Sequence, residues 1–101
     1  MTRVNPARTL YAEFTARPGH EADVERLVAR LAGRVRQEPG NVSFIVHRRV
    51  DDPAAFFVYE EYADEAAFTA HIGADYGAAF NAELATHILE PASRLTWLDR
   101  L

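Results

Sequence analysis

The sequence predicts an α+β fold of the ferredoxin-like type. Its elements run β-α-β-β-α-β, and helices cover one face of a four-stranded antiparallel sheet. Three observations predict it. The apolar spacing passes from period 2 to period 3.6 and back, twice, along the chain. Proline and glycine stand where the spacing changes, at Arg17-Pro18-Gly19, Glu38-Pro39-Gly40 and Glu90-Pro91. The two middle strands are separated only by a short Asp51-Asp52-Pro53 turn, which dictates an antiparallel hairpin.

Residues 8–16 alternate. Leu10, Ala12, Phe14 and Ala16 point to one side, and Tyr11, Glu13 and Thr15 to the other. From His20 to about Gln37 the residues Val24, Leu27, Val28, Leu31, Ala32 and Val35 form one helical stripe. Acids open this helix and arginines close it, as the helix dipole favours. A second strand covers Asn41–Val50, with Val42, Phe44 and Val46 opposite Ser43, Ile45 and His47. The third, Ala55–Tyr62, is aromatic on both faces. Asp64 is a suitable N-cap for a helix containing Phe68 and Ile72. After a break at Gly73, a second helical piece spans roughly 75–86 with the stripe Tyr76, Phe80, Leu84 and His87. Arg94–Leu101 is the last strand.

All 101 residues fit one domain. Helices of such a fold cover only one sheet face, and the other should be polar in a monomer. Here Phe57 and Tyr59 lie opposite Phe56 and Val58, so the uncovered face is expected to pack on a second copy in a homodimer. The chain has no cysteine and no lysine. That excludes thiolate catalysis, zinc fingers, iron–sulfur clusters, Schiff bases and a Walker lysine. A net charge of −4 argues against a nucleic-acid partner. No apolar run reaches the roughly 20 residues of a membrane span, and residues 1–14 lack the apolar core of a signal peptide. The expected location is the cytoplasm, with no membrane partner.

No GxGxxG, P-loop, HExxH or GxSxG motif occurs. The spacing of His20, His47, His71 and His87 supports no metal site. His47 reads either as a solvated histidine at a sheet edge or as a general base in a pocket. His71 shares a helix face with Phe68 and reads as a core histidine or a site residue. Glu60 and Glu61 point to opposite faces, so one should be buried and partnered. The favoured partner is Arg48 or Arg49 across the hairpin, or an arginine of a partner subunit; the alternative is a carboxylate that orients a histidine or a substrate hydroxyl. Phe44, Tyr62, Tyr76 and Phe80 are the candidate pocket walls, and Gly73 and Gly77 are candidate hinges of a lid over them.

The stretch Glu38-Pro39-Gly40, His47-Arg48, Asp51-Asp52-Pro53, Phe56, Tyr59-Glu60, Tyr62, Asp64, Ala67-Phe68 and His71 resembles the antibiotic biosynthesis monooxygenase family. The resemblance implies a dimeric α+β barrel. For some members it also implies oxygenation of quinols or anthrones without metal or flavin. The polyketide anthrone oxygenases carry an Asn four residues before a Trp in strand three, where this chain has Val58 and Tyr62. The haem-degrading branch has an Asn in strand one, a Trp in the second helix and a later His; this chain has no such Asn, and His71 and Asn81 at the other two places. What remains is the broad group that includes quinol monooxygenase-like proteins and sugar-phosphate isomerase-like signalling enzymes, and of these the resemblance is read as the quinol monooxygenase-like branch. The expected function is therefore cofactor-independent oxygenation of a small quinol- or anthrone-like aromatic by O₂. His47 or His71 is the base, Glu60 the orienting carboxylate, and Phe44, Tyr62, Tyr76 and Phe80 bind the substrate. A small-molecule isomerase and a non-catalytic dimeric binding or stress module are the alternatives.

Overall fold

A computed structural model describes residues 6–101; the signal-peptide reading of the N-terminus lies partly outside that range. The order is β1 (Arg8–Thr15), α1 (Glu21–Val35), β2 (Asn41–Arg48), β3 (Ala55–Tyr62), α2 (Glu65–Ile72), α3 (Asp75–Leu84) and β4 (Arg94–Leu98). The strands form one sheet in the order β2-β3-β1-β4, and every neighbouring pair is antiparallel. This is the expected ferredoxin-like arrangement, with the second helical region split at Gly73.

The core lies between the sheet and the helices. Leu10, Ala12 and Phe14 of β1 meet Phe44 of β2, Phe56 and Val58 of β3, and Val24, Val28, Ala32 and Val35 of α1, all buried. Burying one such large side chain contributes roughly 1.5–3 kcal/mol. Phe14 stacks on Phe56 with ring centroids 5.7 Å apart. Asp64 caps α2 as expected, its carboxylate accepting from the Ala67 N–H at 2.8 Å.

Several ends differ from the sequence reading. A bulge between Asn41 and Ser43 takes Val42 out of the strand alternation, and Val42 is exposed. α3 stops at Leu84 instead of Thr86, so His87 lies in the following turn. β2 ends at Arg48, and β4 ends at Leu98, where its pairing with Thr9 of β1 ends. Ala16 continues past β1 only as an isolated bridge to Ile88.

The expected pairing of Glu60 or Glu61 with the hairpin arginines is not found. Arg48 bonds Glu25 at 2.5 Å, and Arg49 bonds Asp51 at 2.6 Å. Both arginines stand at the solvent end of the hairpin. The register instead sets Glu60 between Leu10 and Phe44 on the helix side, and Glu61 between Thr9 and Ser43 on the other side. Glu61 pairs with Arg100 at 2.7 Å.

Candidate active site

The site starts at the turn after α1. Arg36 donates two hydrogen bonds to the Phe44 carbonyl, at 2.8 and 3.0 Å, and so ties the end of α1 to β2. Gly40 then meets α2 at very close range. A Cβ built on Gly40 would stand 2.2 Å from the Cβ of Ala67. Only glycine allows that approach. His71 is one helical turn beyond Ala67 and on the same side, so this contact carries it onto Glu38.

A chain of five polar side chains results. Tyr76 donates its hydroxyl to Glu38 Oε2. Glu38 faces His71 Nδ1, with its two oxygens at 3.1 and 3.2 Å. The other ring nitrogen, Nε2, lies 3.7 Å from Glu60 Oε1. Tyr62 donates its hydroxyl to that same oxygen at 2.7 Å. An ionised carboxylate only accepts, so Glu38 assigns the proton to Nδ1 and leaves the Nε2 lone pair on the Glu60 side. His71 also packs on Tyr62, with ring centroids 4.7 Å apart.

Glu60 is 5% exposed. Burial raises its carboxyl above the ordinary range, and the Glu38 charge adds to this; the Tyr62 hydroxyl and His71 oppose it only in part. Burial likewise pushes the Tyr62 hydroxyl well above the usual range, reinforced by the neighbouring Glu60 charge. Tyr62 therefore acts as a fixed donor.

Glu60 and His71 open onto a cavity of about 140 Å³ between the sheet and the helices. Leu10, Phe14, Phe44 and Val58 form its sheet wall, and Phe68, Phe80 and Asn81 its helix wall. Of the expected residues, Phe44, Glu60, His71 and Phe80 reach this cavity. Tyr62 lies behind Glu60 and is fully buried. Tyr76 stands on the outer side of His71, beneath the Arg34 guanidinium at 4.5 Å. His47 is not in the cluster. It pairs with Phe57 on the opposite sheet face, is exposed, and rests edge-on against the Phe57 ring at 5.6 Å. Gly77 lines the cavity wall; neither it nor Gly73 has a left-handed backbone.

The sequence marks Glu38 as part of a helix stop and of the family's Glu-Pro-Gly motif, and gives it no site role. One signal could have singled it out, because an acid just past a helix C-terminus opposes the macrodipole. Asn81 and Ser93 were also missed as lining residues; single polar residues of this kind carry no sequence signal.

The sequence profile of the antibiotic biosynthesis monooxygenases matches residues 8–83. The chain belongs to this family. The matched span holds the whole Tyr76–Glu38–His71–Glu60–Tyr62 chain of this monooxygenase-family protein. Among solved structures, a Pseudomonas aeruginosa protein superposes with a TM-score of 0.88 at 26% identity, over 99% of both chains. A Caulobacter crescentus structure named for the family matches at 0.87 and 26%, over 96% of this chain and 92% of that one. A Mycobacterium tuberculosis protein shares the fold at 0.86 and 21%, over 94% and 95% of the two chains. No curated protein matches the chain significantly by sequence.

Proposed function

We infer that this family member oxygenates a small quinol-like aromatic, with His71 Nε2 as the base. The observation that carries this reading is the placement of Nε2. It lies at an apolar cavity, its partner nitrogen is held by Glu38, and a buried carboxyl stands 3.7 Å away. A substrate hydroxyl entering beside Phe44 and Phe80 gives its proton to Nε2. The imidazolium so formed is stabilised by Glu38. Glu60, its carboxyl raised above the ordinary range by burial, orients the second oxygen of the ring.

The remaining chemistry belongs to the substrate. An electron-rich phenolate passes an electron to O₂, and the two radicals then combine at a ring carbon. One oxygen atom stays on the ring. The other leaves as water with two hydrogens from the quinol, so the ring ends as a hydroxyquinone. Cavity size supports a one-ring substrate. An apolar cavity of about 150 Å³ takes up one benzene, and this one measures about 140 Å³. A single aromatic ring fits within it.

The uncovered sheet face supports the homodimer. Tyr11 and Phe57 stack there with centroids 4.8 Å apart, and Ile45 and Leu98 remain 47% and 42% exposed. Light scattering should give twice 11.3 kDa. Among the described residues no helix is long and apolar enough to cross a membrane, which accords with a cytoplasmic site of action. The function is tested by oxygen uptake with mono-, bi- and tricyclic quinols, without added metal or flavin. Uptake should be fastest with the one-ring substrates. Turnover that proceeds equally well without oxygen would replace this reading with an isomerase.

A further inference from the structure

A second cluster lies at the other end of β1. His20 precedes α1, Asp23 sits in its first turn, and His87 follows α3. One ligand atom from each lies within 4.8 Å of the other two. The Nδ1 atoms of the two histidines face each other at 2.9 Å. All three residues are half-buried. Sequence spacing supports no metal site because no two histidines lie three or four residues apart; His87 is 67 residues from His20. Only the packing of the two loops brings them together.

Those loops are held firmly. Arg17 donates its N–H to the His87 carbonyl at 2.9 Å, and its own carbonyl accepts the His20 N–H at 2.8 Å. Leu89 donates to Thr15 at 2.9 Å. Glu90 accepts the Thr15 N–H and hydroxyl, each at 2.8 Å. Ala16 pairs with Ile88, and both are buried. The donor atoms are thus preorganised by backbone contacts that do not involve the imidazoles.

Two neutral imidazoles can face each other through one shared proton. Asp23 beside them gives the cluster a different character, since two ring nitrogens and one carboxylate are a common ligand set for borderline divalent ions. Hard Mg²⁺ prefers oxygen ligands. The Arg26 guanidinium engages Asp23 Oδ1, and a cation would compete with it or use the second oxygen. We propose that His20, Asp23 and His87 form a site for a zinc-class divalent cation, which clamps the β1–α1 turn to the segment after α3. Three protein ligands leave the remaining positions to water.

The test uses the full chain, stripped of metal, with ZnCl₂ or MgCl₂ followed by calorimetry and thermal unfolding. Zinc should bind once per chain. At about a hundredfold excess over Kd it should raise Tm by about 10 °C, and magnesium should not. His20→Ala and His87→Ala should abolish the shift. His71→Ala should retain it, which separates this site from the Glu38–His71–Glu60 cluster. Asp23→Asn keeps the facing histidines and should weaken binding by about tenfold or more. Cu²⁺ bound at the same place should show two imidazole nitrogens by electron paramagnetic resonance. Absence of zinc binding, equal binding by Asp23→Asn and the parent, or a shift lost only in His71→Ala would overturn the proposal and leave a simple histidine–histidine hydrogen bond.

Discussion

The two faces of the sheet carry the same kinds of residue and use them differently. On the helix-covered face, Glu60 is buried, bonded to Tyr62 and beside His71 at the edge of a cavity. On the uncovered face, Glu61 is nearly as buried but pairs with Arg100, and His47 is open to solvent against Phe57. Each face thus has a histidine, a glutamate and aromatics. Only one places helices over the space next to a base whose other nitrogen is fixed. The difference teaches that residue type alone does not make a site here. The cover comes from α2 and α3, and the fixed tautomer from Glu38.

The sharpest way to break this comparison is to remove each histidine in turn. His71→Ala should lower kcat for quinol oxygenation by about 10²–10⁴-fold, the usual contribution of a positioned general base. His47→Ala should leave it near the parent value. Steady-state oxygen uptake measures both, and equal losses would erase the distinction between the faces. Packing gives the next largest contrast. Phe14→Ala on the covered face should cost about 3–5 kcal/mol in urea unfolding. Phe57→Ala on the uncovered face should cost about 1 kcal/mol within the monomer, while shifting the mass by light scattering from dimer to monomer.

A smaller effect is expected at the contact that joins the two parts of the site. Gly40→Ala would force Ala67 away, at about 1–3 kcal/mol by urea unfolding. Because α2 carries His71, turnover should fall with it although residue 40 touches no substrate. The smallest effect lies in the pH dependence of stability. Burial raises the Glu60 carboxyl above its ordinary value near 4.5, so the folded state binds this proton more tightly than the unfolded chain. Stability from this group is therefore present in acid and lost as pH rises through the raised value. Glu60→Gln should remove that loss and flatten the urea midpoints above the ordinary carboxyl value near 4.5. A steeper decline in the variant would mean that the covered face holds Glu60 as a paired ion, like Glu61.

Much of the fold was legible because burial follows the period of each element. Leu10, Ala12, Phe14 and Ala16 alternate and are buried, and the α1 stripe is buried apart from the half-covered Leu31. Less was legible at the ends. The Val42 bulge and the last residues of β2 and β4 depend on which partner strand remains in reach. The candidate site was half legible. The His71 and Glu60 positions stood out as polar residues on otherwise apolar elements. Their relation to Glu38 did not, because it is made by the Gly40–Ala67 contact between segments far apart in sequence. His47 looked like their equal only because nothing local says which sheet face is covered.

The sequence by itself determined the element order, the inward faces, the cap at Asp64 and the family, since each rests on local chemistry or on short motifs. Only the tertiary structure decided which histidine meets a carboxylate, which glutamate is enclosed, and that His20 and His87 stand face to face. Those contacts join residues tens of positions apart. Their geometry is set by how helices seat on a sheet, which no period or spacing along the chain encodes.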